Sequence, residues 1–183
     1  MDLMANAVRI IGGDLRGRTL HFPDLEGLRP TPDRVRETLF NWLGQRLDDL
    51  VCLDLFTGSA ALAFEAVSRG AVRVDAVDVN TKVCASAQKN CRKISVDNMT
   101  ITCSEATHFL RQNNQVYDVI FLDPPFTETA LLQDVLAILP RHLSNGCRIY
   151  IESAQSIEIP QDFKSLRGAK AGRVHFALWE FQR

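Results

Sequence analysis

From Val51 onward, short apolar runs alternate with segments of helical periodicity, and this alternation confines the chain to one class of fold. Residues 51–55, 72–77, 99–103, 116–122 and 147–151 read as strands, and residues 60–69, 82–94, 106–111 and 130–139 read as the helices between them. Strands joined through helices run parallel, and a parallel sheet needs cover on both faces. Residues 163–166 and 174–181, joined by a Gly-containing turn, predict an antiparallel edge on the sheet. The expected architecture is α/β: a mostly parallel sheet with an antiparallel edge strand and helices on both faces.

The first 50 residues follow another grammar. Residues 8–11 and 19–22 predict a short hairpin punctuated by Gly12, Gly13 and Gly17. After Arg29-Pro30-Thr31-Pro32-Asp33, an apolar face of Val35, Leu39, Trp42 and Leu43 predicts a helix, with Thr31 as its cap and Pro32 in its first position. This divides the chain into a hairpin-helix extension, 1–46, packed on the core, and a main domain, 47–183.

The chain has 183 residues, 46% of them hydrophobic and 23% charged, so a disordered chain or a coiled coil is excluded. No apolar run reaches the ~18 residues of a membrane span, and residues 1–8 show no signal-peptide pattern, so a cytoplasmic protein is expected. The five cysteines are odd in number and form no C-x-x-C pair, so neither a disulfide framework nor a metal site is expected. The net charge of −1 argues against a general polyanion binder. The ends are nevertheless more basic than the middle. Residues 1–50 hold seven arginines and no lysine, and Lys164, Arg167, Lys170 and Arg173 recur every third residue in the tail. Such a run is either a solvated face or a contact to phosphates.

In parallel α/β sheets, ligands bind beyond the carboxyl ends of the strands, where the strand order reverses. The first strand ends in Asp54-Leu55-Phe56-Thr57-Gly58-Ser59. Gly58 permits a tight turn onto the next helix, whose first N–H groups face a ligand. Asp78 stands at the end of the second strand, 24 residues after Asp54, where a carboxylate can hold the two hydroxyls of a ribose, with Val79 beside it. Asp75 is the rival, placed inside the run. Glu105 and Ala106 follow the third strand, in position to read an adenine or simply to start a helix.

Asp123-Pro124-Pro125-Phe126, directly after the fourth strand, is the sharpest signal. Two prolines hold the backbone extended. The Asp123 carboxylate and the Pro124 carbonyl then offer two acceptors to an amino group with two N–H donors. Phe126 offers a flat face for a base.

This tetrad resembles the [D/N/S]-P-P-[F/Y/W] motif of S-adenosylmethionine-dependent methyltransferases acting on exocyclic amines, and residues 54–59 resemble their cofactor loop. More specifically, the chain resembles the RsmD family of bacterial 16S rRNA (guanine-N2)-methyltransferases. The matching residues are Arg9-Ile10-Ile11-Gly12-Gly13, Arg16-Gly17-Arg18, Leu28-Arg29-Pro30-Thr31-Pro32-Asp33-Arg34-Val35-Arg36-Glu37, Phe40-Asn41-Trp42-Leu43, and Phe64-Glu65-Ala66 with Ser68-Arg69-Gly70-Ala71. The chain departs from the family at Ala60 and Ala63, where glycine is usual, at Asp78, where Glu is common, and at Glu105, where Asp is usual.

The resemblance implies a Rossmann-like class I methyltransferase fold. It also implies S-adenosyl-L-methionine as cofactor, held by Thr31, Asp54, Phe56, Thr57, Gly58, Ser59, Asp78, Val79, Glu105, Ala106 and Asp123. Asp123, Pro124, Pro125 and Phe126 form the catalytic segment. Arg9, Arg16, Arg18, Arg29, Arg34 and Arg36 are the expected RNA contacts, their guanidinium forks matching phosphate geometry. The expected partner is 16S rRNA, within the small subunit or an assembly intermediate, met by a monomer. The same tetrad would serve a DNA adenine-N6 or cytosine-N4 methyltransferase, which the lack of a separate target-recognition domain disfavours. An NAD-dependent oxidoreductase or a non-catalytic nucleotide-binding module is disfavoured by the incomplete glycine pattern.

Overall fold

The computed structural model describes residues 6–125, 128–155 and 157–182. The chain opens with a hairpin, β1 (Asn6–Arg9) and β2 (Thr19–Phe22), followed by helix α1 (Asp33–Trp42). The main body runs β3 (Val51–Asp54), α2 (Ala61–Ser68), β4 (Arg73–Asp78), α3 (Thr81–Ile94), β5 (Met99–Cys103), α4 (Ala106–Gln112) and β6 (Tyr117–Leu122). It continues with α5 (Thr129–Ile138), a single 3-10 turn (Leu139–His142), β7 (Leu143–Ser153), β8 (Phe163–Ala171) and β9 (Val174–Phe181).

Seven strands form one sheet in the order β5-β4-β3-β6-β7-β9-β8. β5 through β7 are parallel, and β9 pairs antiparallel to both β7 and β8, which gives the expected antiparallel edge. The chain builds outward from β3 to β5 and then returns to β6 on the other side of β3. The order therefore reverses between β3 and β6.

Both faces of the sheet's centre are dry. On one face Leu53, Ile120, Leu122 and Ile149 pack against Leu110 of α4 and Leu132, Val135 and Leu136 of α5. On the other, Cys52, Val119, Phe121 and Tyr150 pack against Val35, Leu39 and Phe40 of α1 and Leu62, Ala63 and Ala66 of α2. The hairpin extends this second layer, with Val8, Leu20 and Phe22 against Phe64 of α2 and Ala87 and Cys91 of α3. Its loop is anchored through backbone atoms. Ile11 N–H donates to Glu65 at 2.7 Å, and Leu15 N–H donates to the Ser68 hydroxyl at 2.9 Å. A Cβ on Gly13, at φ +72, would stand 1.9 Å from the Ser68 carbonyl oxygen, so only glycine lets the loop approach α2 this closely.

Three expectations need correction. Thr31 does not cap α1: Pro32 occupies the cap position with extended backbone, and Thr31 turns its hydroxyl elsewhere. β8 continues to Ala171 rather than ending at 166, because an outermost strand needs no buried side chains to pair along its whole length. The tail bases do not form one stripe. Register places Lys164 and Arg167 opposite Glu180 and Leu178 on one face, and Lys170 opposite His175 on the other.

Candidate active site

Asp54 closes β3 and is buried at 1% exposure. Its Oδ2 accepts the Ala63 N–H at 3.2 Å, while its Oδ1 is buried without a hydrogen-bond partner among the described residues. The loop after it is fastened from both sides. Thr57 N–H donates to the Val77 carbonyl at 2.9 Å, and the Thr57 hydroxyl donates to the Asp54 carbonyl at 3.1 Å. Gly58 N–H donates to Asp78 Oδ2 at 2.9 Å. Ser59 is buried and Phe56 half-buried. Leu28 lies over the turn, since a Cβ on Gly58 would come within 3.2 Å of its Cδ1. Ala60, at φ +63, adopts the left-handed backbone that suits the glycine usual at this position in the resembled family. That strain, about 1–2 kcal/mol, is partly offset by burial of its methyl, about 0.8 kcal/mol.

Asp78 ends β4, and its Oδ1 also accepts the Asn80 N–H at 2.8 Å. Each oxygen keeps a second lone pair for another donor. The rival Asp75 is engaged elsewhere, by the Tyr117 hydroxyl at 2.7 Å and by the Arg73 guanidinium. Val79 is 71% exposed, one of the few large apolar side chains left open to solvent. Glu105 precedes α4 and accepts the Thr107 hydroxyl at 2.7 Å, with Ala106 buried behind it.

Asp123 follows β6, across the order reversal from Asp54. The Thr31 hydroxyl donates to its Oδ2 at 3.5 Å, tying the segment before α1 to the end of the sheet. Pro124 is buried and Pro125 exposed. It is the Pro125 carbonyl, not that of Pro124, that takes the Glu128 N–H, at 2.9 Å. Phe126 lies outside the described residues. Sequence reasoning missed Glu152, which stands on β7 one residue beyond Ile151, the partner of Leu122. It is 6% exposed, and its Oε1 accepts the Tyr150 hydroxyl at 2.7 Å. An acid directly after the apolar run Ile149-Tyr150-Ile151 was the available signal.

Three carboxyl groups thus gather on one face at the ends of β3, β6 and β7. Burial, and then the nearby Asp78, pushes Asp54 up to about 7. Burial, then Glu152 and Asp54, holds Asp123 well above the ordinary carboxylate range, opposed by the Thr31 hydroxyl. Burial raises Glu152 as well, opposed by the Tyr150 hydrogen bond. None of the three joins an ion pair among the described residues. Desolvated carboxylates that repel one another stabilise an incoming cation. With Gly58, Asp78 and exposed Val79 alongside, the site fits an adenosyl group that carries positive charge.

The expected RNA contacts divide. Arg9, Arg16, Arg18, Arg29 and Arg34 are exposed, with no ion pair among the described residues. Arg36 cannot serve as expected, because it is fully buried. Its Nη1 donates to Glu65 at 2.8 Å and to the Arg9 carbonyl at 3.0 Å, its Nε to the Thr31 carbonyl at 3.1 Å, and its Nη2 to Asp33 at 2.5 Å. A guanidinium with those partners is structural. A separate groove of about 470 Å³, lined by Asn6, Phe22, Asp24, Leu28, Arg29 and Pro30 among others, contains none of the strand-end carboxylates.

The family model described as Conserved hypothetical protein 95 matches residues 8–180. The ribosomal RNA small subunit methyltransferase D of Escherichia coli strain K12 is 39% identical over 180 residues, covering 94% of this chain and 89% of that protein. Its namesake in Haemophilus influenzae is 37% identical over 181 residues, covering 94% and 93%. A solved Escherichia coli structure superposes with a TM-score of 0.88 at 37% identity, covering 97% of this chain and 99% of that one. With the match running from β1 into β9, the chain belongs to the family of conserved hypothetical protein 95, which is the RsmD family its N-terminal block resembles.

Proposed function

We propose that this protein transfers a methyl group from S-adenosyl-L-methionine to the N2 amine of a guanine in 16S rRNA. Family membership supports an enzyme that methylates small-subunit rRNA. The observation that carries the choice of an exocyclic amine is the Asp123-Pro124-Pro125 segment, held at the β3/β6 reversal beside a buried, half-unpartnered Asp54.

When bound, S-adenosylmethionine supplies an electrophilic methyl on a positively charged sulfur. Asp78 would hold the ribose hydroxyls on its remaining lone pairs, and Val79 would face the adenine. The free Asp54 Oδ1 would accept a hydrogen bond from the ammonium group of the methionine end. The guanine amine is a weak nucleophile, because its lone pair is delocalised into the ring. Asp123 and the Pro124 carbonyl accept its two N–H groups, aim the lone pair and stabilise the positive charge that grows on nitrogen. With the cofactor bound, the N–C bond would form as the C–S bond breaks, and Asp123 or water would take the proton the amine releases. The base reaches the pocket unstacked or flipped. Exposed Arg9, Arg16, Arg18, Arg29 and Arg34 hold the RNA backbone. All of these groups come from one chain, in keeping with a monomer that works in the cytoplasm on a subunit or an assembly intermediate. Among the described residues no helix is long and apolar enough to cross a membrane.

The test is nucleoside mass mapping of 16S rRNA from a strain lacking the gene, paired with methyl transfer by the purified protein to small subunits from that strain. One guanine should lose its N2-methyl and regain it in vitro. An unchanged methylation map would overturn the reading.

A further inference from the structure

We propose that Glu152 selects the base by accepting the guanine N1–H while Asp123 and Pro124 grip the neighbouring amine. The inference rests on the guanine-N2 reading above and adds to it the residue that reads the base. An Asp-Pro-Pro segment grips any exocyclic amine and cannot by itself choose among guanine, adenine and cytosine. The bases differ in the ring atom beside that amine. Guanine presents N1–H, a donor, whereas adenine and cytosine present a bare ring nitrogen, an acceptor.

Burial raises the Glu152 carboxyl, but an N–H donor beside it favours the ionised form, which only accepts hydrogen bonds. Placed beside the amine, it therefore welcomes guanine and repels the other two. Glu152 stands there. Leu122 of β6 pairs with Ile151 of β7, so Asp123 and Glu152 follow side by side on adjacent strands. Pro124, Pro125, Glu152 and Ser153 line one groove. The Tyr150 hydroxyl, 2.7 Å from Oε1, fixes the carboxylate. The side chain is more than nine-tenths buried, yet its Oε2 has no hydrogen-bond partner among the described residues. An acceptor that is oriented, unused and still reachable from the groove is placed to read a donor.

The probe is 2-aminopurine, which keeps the amine at carbon 2 but lacks N1–H. Small subunits are reconstituted with 16S rRNA carrying guanine or 2-aminopurine at the mapped position, and kcat/KM is measured for the wild type and for Glu152→Gln. Cofactor affinity and thermal stability are followed in parallel. The wild type should favour guanine by roughly 10–100-fold, the scale of one charge-assisted hydrogen bond. In Glu152→Gln that preference should shrink to about threefold or less, because the amide can turn either a donor or an acceptor to the ring. Tyr150→Phe, which frees the carboxylate without removing it, should lose part of the preference and serves if Glu152→Gln does not fold. A wild type indifferent to N1–H, or variants with the same preference as the wild type, would remove Glu152 from this role and leave the guanine-N2 reading intact. A wild type that binds cofactor but methylates no guanine would bring down both.

Discussion

Asp54 has the most to gain from a ligand. Its carboxyl is raised from 3.8 to about 7, so in the cofactor-free protein it is largely protonated below neutrality. The folded protein then keeps a proton that the unfolded chain has already lost. Its contribution to stability is full below about 4 and fades as the pH rises through about 7. Binding a cation favours the ionised form. Affinity for S-adenosylmethionine should therefore climb between pH 6 and 8, with proton release visible as a buffer-dependent heat in calorimetry. Asp54→Asn should abolish both effects, and a pH-independent wild-type affinity would show that the buried oxygen does not meet the cofactor. Asp123 has a different part in the proposed function, at the amine. Asp123→Ala should keep most cofactor affinity and lose single-turnover methyl transfer by about 100-fold or more, the scale for one preorganised electrostatic partner. Near-normal turnover would reduce the Asp-Pro-Pro segment to a rigid turn.

Among the elements, α1 joins the N-terminal extension to the active site. Arg36 bonds at once to Glu65 of α2, to the Arg9 carbonyl at the end of β1 and to the Thr31 carbonyl, and Thr31 in turn meets Asp123. Arg36→Ala would leave Glu65 partly uncompensated in a dry interior, at a cost of about 3–5 kcal/mol. Arg34→Ala, exposed on the same helix, should change stability by less than about 0.5 kcal/mol. Urea midpoints of the two variants check the contrast, and equal midpoints would refute the structural role of Arg36. This network also marks where the sequence stops being legible. The parallel strands could be read because their apolar runs answer to burial that is local in the chain. The strand-end acids Asp54, Asp78 and Asp123 could be read because topology fixes where such ends lie. Arg36 read as one more arginine in a basic stretch, because its partner Glu65 lies 29 residues on. Thr31 read as a helix cap for the same reason, its real partner being 92 residues away. Glu152 drew no attention because only the β6–β7 register brings it beside Asp123.

For the whole molecule, a net charge of −1 coexists with five exposed arginines in the extension that join no ion pair among the described residues, so the proposed RNA contact belongs to one region. Replacing Arg16 and Arg18 with Ala should lower the slope of log affinity against log salt by about 2, each lost phosphate contact removing close to one unit. Cofactor affinity should stay constant, and an unchanged salt slope would place RNA contact elsewhere. The basic tail has another bearing. β8 is the outermost strand, and its far side has no neighbour in the sheet. An open strand margin is a template on which a second molecule can add its own strand, the first step of sheet-to-sheet aggregation. Lys164, Arg167 and Lys170 project from that margin on both of its faces, so a second copy docking there would set like charges side by side whichever way it turned. With Lys164 and Arg167 on one face and Lys170 on the other, positive charge guards both sides of the edge against a second copy.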